Sequence, residues 1–165
     1  MANYNDMRNA ALKSQQQFNS MQERVYSCFA KIVRGLITYS QVPQDAITLL
    51  KWNGSTSDER DYCPAEPGKM FTLPGATIFD DSDGYWHLGL CIGLTQLQFV
   101  SFVLCITEQD GAAKVKTGVS GKAQTLNFED ESSVRAYCES ICEQAVRVYS
   151  EPTSSASRTF GFLSE

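Results

Sequence analysis

Twenty-four consecutive residues, 84–107, carry no formal charge. A helix of that length and polarity would cross a bilayer, which takes roughly 20 apolar residues. The internal pattern argues against a helix. Trp86, Leu88, Leu90, Ile92 and Leu94 alternate with Tyr85, His87, Gly89, Cys91 and Gly93, a period of two and so a strand. The alternation resumes in Val100, Phe102, Leu104 and Ile106, set against Phe99, Ser101, Val103, Cys105 and Thr107. Thr95, Gln96 and Gln98 fall where a bilayer would be driest. The run therefore reads as the central hairpin of an antiparallel sheet.

Apolar pattern also sets its register, because a slip of one residue turns every side chain to the other face. A reversal at 95–97 pairs Leu94 with Gln98 and then opposes Ile92 to Val100, Leu90 to Phe102, Leu88 to Leu104 and Trp86 to Ile106. All the large apolar groups share one face. On the other, His87, the only histidine, lies opposite Cys105.

The flanking sequence supplies two long helices. From about Asn5 to Leu36, the residues Met7, Ala11, Phe18, Met21, Val25, Cys28 and Ile32 recur on alternating three- and four-residue steps, widened by Phe29, Val33 and Leu36. Three heptads interrupted by Gln15, Gln16 and Gln17 make a thin coiled-coil seam, so packing within the chain is the expectation. A second helix starts among Glu129, Asp130 and Glu131, acids suited to a helix N-terminus. It runs through Val134, Tyr137, Cys138, Ile141, Cys142, Ala145, Val148 and Tyr149 to Pro152. Asp83-Gly84 and Asp110-Gly111 mark hairpin turns, defining strands at about 70–81, 85–94, 98–108 and 112–120, with a short fifth at 125–128. Pro74 assigns the first strand to an edge. Residues 43–52 suit a short helix or a strand.

The predicted fold is thus α+β: an antiparallel four- to five-stranded meander with both long helices on one face. Residues 1–152 form one domain, large enough for a real core, and the Ser/Thr-rich tail 153–165 docks on it through Phe160 or Phe162. The first ten residues show neither the basic nor the apolar region of an export signal. Reduced thiols for the six cysteines and a cytoplasmic location are the expectations.

Charge excludes one class of partner. The net charge of −5 disfavours nucleic acid, whose phosphates call for clustered Lys and Arg. It is unevenly spread: 1–43 carries five basic and two acidic groups, whereas 44–110 carries three basic and ten acidic. Internal pairing of the two segments is expected. No membrane segment is expected.

Few constellations point to chemistry. A His87–Cys105 pair resembles an activated thiol, but no orienting acid or oxyanion hole is legible, and no catalytic residue is assigned. Cys138 and Cys142 share a helix face without further zinc ligands. The run Asp80–Gly84 fails as a calcium loop, since Leu90 falls where a bidentate acid belongs. No metal and no cofactor are expected.

Two surfaces remain. One is the second face of the hairpin, with Tyr85, His87, Cys91, Phe99, Ser101, Val103 and Cys105. It is neither charged enough for solvent nor apolar enough for a core, and a weakly apolar patch of this kind marks an interface or a groove. The other is the long loop 54–69, with Asp58, Glu59 and Asp61, suited to a basic protein partner. The reading is a non-enzymatic binding protein that forms a homodimer through the second face. The alternative is a small-ligand binder or small enzyme with a pocket at Tyr85, His87 and Cys105.

Overall fold

A computed structural model describes residues 1–54, 61–118 and 121–150, and the backbone of 157–160. The chain is α+β. Helix α1 spans Tyr4–Thr38, strand β1 Ile47–Trp52, and strand β2 Tyr62–Cys63. A one-turn helix α2 at Leu73–Ala76 leads to β3 at Ile78–Asp80. Strands β4 (Tyr85–Gly93), β5 (Phe99–Gln109) and β6 (Ala112–Thr117) follow, then β7 at Gln124–Thr125. Helix α3 (Glu131–Ser150) and strand β8 (Ser157–Phe160) close the order.

The hairpin register is the one that the apolar pattern requires. Trp86 faces Ile106, Leu88 faces Leu104, Leu90 faces Phe102, Ile92 faces Val100, and His87 faces Cys105. The sheet runs β2-β1-β4-β5-β6-β7, with β3 beside β4 and β8 beside β5. β5 occupies one edge of β4, so β1 and β3 share the other end to end, at Gly89–Ile92 and Tyr85–His87. On the outer edge of β5, β6 meets Leu104–Gln109 and β8 runs parallel to Phe99–Phe102. Both central strands are thereby paired on both edges along most of their length. The turn at Asp110-Gly111 takes positive φ at both residues, 54° and 76°, as a two-residue hairpin demands.

Two sequence expectations change, and one left open is decided. The strand count exceeds five, because short edge strands of two to four residues carry too little periodicity to be seen. Residues 70–77 are not strand: the Thr72 hydroxyl accepts the Gly75 N–H, and Pro74 sits in the first turn of α2, where its missing donor costs nothing. Residues 47–52 are strand, entered through a short 3₁₀ turn at Gln44–Ala46.

Both long helices cover the strong face. Val25, Phe29, Ile32 and Leu36 of α1 join Val134, Tyr137, Cys138 and Ile141 of α3 over Leu88, Leu90, Phe102 and Leu104, all buried. Gly35 lets the helices approach, since a Cβ there would stand 2.7 Å from Cys138 Sγ. The basic N-terminal segment pairs with the acidic middle at one defined point. Arg24 Nε and Nη2 donate to both oxygens of Glu108 at 2.6 and 2.7 Å, a bidentate geometry.

Helix α1 outruns the sheet. At 35 residues it extends roughly 52 Å, against roughly 36 Å for the 11 residues of β5. Every residue from Tyr4 to Gln17 is exposed, so the expectation that the whole stripe packs within the chain holds only from Phe18 onward. Among the described residues no helix is long and apolar enough to cross a membrane.

Two outcomes test this packing. Gly35→Ala destabilises the fold by about 1–2 kcal/mol, overpacking outweighing the helix propensity of alanine. Adding Cys138→Ala recovers most of that loss in a urea double-mutant cycle. In the other test, Arg24 holds the Glu108 carboxyl below its ordinary value of 4.5. The pair's contribution is complete above that value and fades as pH falls through the depressed one. Glu108→Gln therefore flattens the acid limb of stability measured by thermal melting at pH 3–6.

Candidate functional site

The second face of the hairpin is covered by the chain itself. Leu50, Tyr62, Val103 and Cys105 form a second apolar cluster, with Trp52, Tyr85 and Cys91 packed against it. The cover comes from β1 and β2, which pair at Trp52↔Tyr62. Gly89 makes room: a Cβ there would lie 2.7 Å from Tyr62 Cδ1 and 2.8 Å from Leu50 Cβ. The Trp52 ring stacks on His87 at 5.8 Å and 23°.

Of the two states open to this face from sequence, exposed as an interface or covered by the chain itself, the fold has the second. His87, Val103 and Cys105 have no exposed surface, and Ser101 is 7% exposed. Cys91 and Tyr85 are half-buried. Phe99 alone among the seven candidates remains open, at 41%, beside Leu94 and Leu97 at the hairpin tip. Asp58 and Glu59 of the acidic loop lie outside the described residues. Asp61 is half-buried, and its carbonyl accepts the Asn53 N–H at 2.9 Å.

Beneath this cover lies a polar centre. His87 Nε2 is 2.9 Å from Asp83 Oδ2 and 4.0 Å from Asp80 Oδ2. Its Nδ1 is 3.2 Å from the Tyr62 hydroxyl and 3.8 Å from Cys105 Sγ. A buried imidazole needs partners on both nitrogens, and it has them. Against a carboxylate, Nε2 carries a proton and donates to Asp83. In the neutral ring Nδ1 then accepts from Tyr62.

Local turn chemistry aims the two carboxylates. Asp80 Oδ1 accepts from the Ser82 amide at 3.0 Å and its hydroxyl at 2.6 Å. Asp83 Oδ1 accepts from the Tyr85 amide at 2.9 Å. Partial burial opposes ionisation of Asp80, but the Ser82 bonds, His87 and Lys116 outweigh it and hold the carboxyl below its usual range. Lys116 Nζ stands 4.1 Å above the Tyr85 ring. The missed residues are thus Tyr62, Trp52, Asp80 and Asp83. Only Asp83 had a legible signal, four residues before His87 across a glycine turn.

An orienting acid is present after all, but Cys105 is fully buried. Burial is the main cause that drives its thiol well above the ordinary cysteine range, with Asp83 and Asp80 adding to it against Lys116. A catalytic thiol needs the reverse.

No family model matches this chain, and no curated protein or solved structure shows significant similarity to it.

Native Cys105 is expected to react with iodoacetamide at pH 8 at least ~100-fold more slowly than half-buried Cys63, at a rate set by opening of the fold. Tyr62→Ala should raise that rate sharply by removing the cover. Fast alkylation of the intact protein, read by peptide mass spectrometry, would contradict the buried, protonated thiol.

Proposed function

We propose that this chain is a non-enzymatic binding protein that self-associates through the projecting half of α1. The observation that carries this reading is a seven-residue spacing that continues from the core into solvent, its apolar seam thinned by small Ala11 and Ser14 and flanked by Gln15, Gln16 and Gln17. Tyr4, Ala11, Phe18, Val25 and Ile32 form one heptad position, and Met7, Ser14, Met21, Cys28 and Gly35 another. From Phe18 onward the stripe packs against the sheet or α3. Before it, Tyr4 and Met7 are 71% and 62% exposed.

A solitary helix of this length is marginal in water. A capping box supports its start, with Asn3 Oδ1 accepting the Asp6 amide at 3.1 Å and Asp6 Oδ2 accepting the Asn3 amide at 2.9 Å. A second copy is the occupant that this surface suits. Small Ala11 and Ser14 let two helices approach closely, and the flanking Arg8, Ala10, Gln15 and Gln17 present one charge between them. Two copies meet there with little electrostatic penalty and with Met7 and Tyr4 as anchors. Association thus moves from the covered sheet face to the helix, while the general class, a protein-binding domain, stays the same. Cytoplasm is the location we propose, a reducing compartment suited to a chain whose core is large enough to fold without disulfides.

The competing reading, a ligand pocket at Tyr85, His87 and Cys105, loses support because Trp52 and Tyr62 fill that space.

Sedimentation equilibrium tests the proposal. The expected mass rises with concentration toward twice 18.3 kDa. Met7→Asp and Ala11→Asp should each restore the single-chain mass with the core fold intact, whereas Phe99→Asp leaves the dimer in place. A chain monomeric throughout, or a dimer split by Phe99→Asp and indifferent to Met7→Asp, would refute it.

A further inference from the structure

We propose that Asp80, Asp83 and His87 form a binding site for a divalent transition-metal ion, with zinc the ion whose ligand preferences they fit. One ligand atom from each lies within 4.8 Å of the other two, and His87 Nε2 faces Oδ2 of both aspartates. Around a tetrahedral zinc with bonds of 2.0–2.2 Å, ligand atoms stand about 3.3 Å apart. The 2.9 Å separation from Nε2 to Asp83 needs to open by a few tenths of an ångström, and the 4.0 Å separation to Asp80 needs to close by less than one. Rotation of two aspartate side chains accomplishes both.

Several features make this more than a pair of acids at a turn. The three ligands come from different positions in the hairpin, Asp80 at the end of β3, Asp83 in the loop and His87 inside β4, and β3–β4 pairing sets their separation. Each Oδ1 is already engaged by Ser82 or Tyr85, so each Oδ2 is left to face the imidazole. The third ligand is a fully buried ring aimed outward at them. Metal-bound histidines characteristically donate their second N–H to a protein oxygen, fixing tautomer and ring plane. Nδ1 stands 3.2 Å from the Tyr62 hydroxyl for that purpose, and Trp52 stacks on the ring.

Charge points the same way. Two carboxylates converge on one imidazole, and a divalent cation neutralises both, replacing the proton on Nε2. One nitrogen and two oxygens without a thiolate suit zinc among the borderline ions, whereas calcium seeks six to eight oxygens. Cys105 stands on the Nδ1 side of the ring and is not a ligand. The side chains of Asp80 and Asp83 keep 15% and 22% of their exposure. Solvent therefore reaches the site from the carboxylate side and can supply the fourth ligand.

The single histidine makes the test unambiguous. In the ¹⁵N-labelled full chain, one equivalent of Zn²⁺ should move both ring resonances of His87, Nε2 as it exchanges its proton for the metal and Nδ1 as it gains the proton that it donates to Tyr62. Calorimetry should give one zinc per chain, weakened at least tenfold by Asp83→Asn and by Asp80→Asn. Both replacements are isosteric, and circular dichroism of the metal-free variants checks their folding. Co²⁺ separates this site from the cysteines: visible d–d bands without thiolate-to-cobalt charge transfer are expected. Unchanged imidazole resonances at stoichiometric zinc would overturn the proposal. So would zinc affinity indifferent to both substitutions, or cobalt spectra dominated by thiolate. The wild-type resonance decides even if a variant fails to fold.

Discussion

The pairing of Trp86 with Ile106 governs the rest of the structure. Side chains alternate across a strand, so that one register decides both faces of the hairpin at once. It gathers Leu88, Leu90, Phe102 and Leu104 into the face that α1 and α3 cover. Each such side chain, fully buried, stabilises the fold by about 1.5–3 kcal/mol. By the same geometry it sets His87 opposite Cys105 in a layer where neither touches water. A slip would put the histidine into the helical core and the leucines beneath Tyr62.

A buried histidine imposes its own conditions. Leaving either ring nitrogen without a partner would cost about 1–3 kcal/mol, and here the partners come from opposite directions in the sequence. Asp83 arrives from the turn just before β4, and Tyr62 from β2, which pairs with β1. The second is possible because Gly89 offers no side chain where the tyrosine ring lies. Glycine in the middle of a strand ordinarily weakens it. In this hairpin it is the seat that lets a polar-looking loop close the second face.

Much of this was legible in the sequence, for a definite reason. The hairpin, its register, both long helices and the Asp110-Gly111 turn rest on periodicities sustained over many residues or on a turn type with strict backbone demands. What escaped has no period. Tyr62 is one aromatic in a sixteen-residue polar stretch, and nothing local says that its ring crosses the sheet to His87. Asp80 and Asp81 look equivalent in sequence. Only the β3–β4 pairing turns the first toward the imidazole and leaves the second exposed. The strand at 47–52 is six residues long, too short for a two-residue period to be told from one turn and a half of helix. The exposed look of the second face followed from judging it without its cover.

Helix α1 carries one stripe through two surroundings, packed from Phe18 onward and exposed before it. A straight helix turns 3.6 residues per revolution, so a strict repeat of seven drifts by about 20° per heptad. From Ile32 back to Ala11 there are three heptads, and the seam swings about 60° around the helix over that distance. Packing within the chain follows the seam only from Phe18 onward. A second helix does follow it, by supercoiling, since that is how a 3.5-residue period is kept in contact. In the proposed dimer, the repeat in Tyr4–Gln17 would meet a helical partner rather than the body of its own fold.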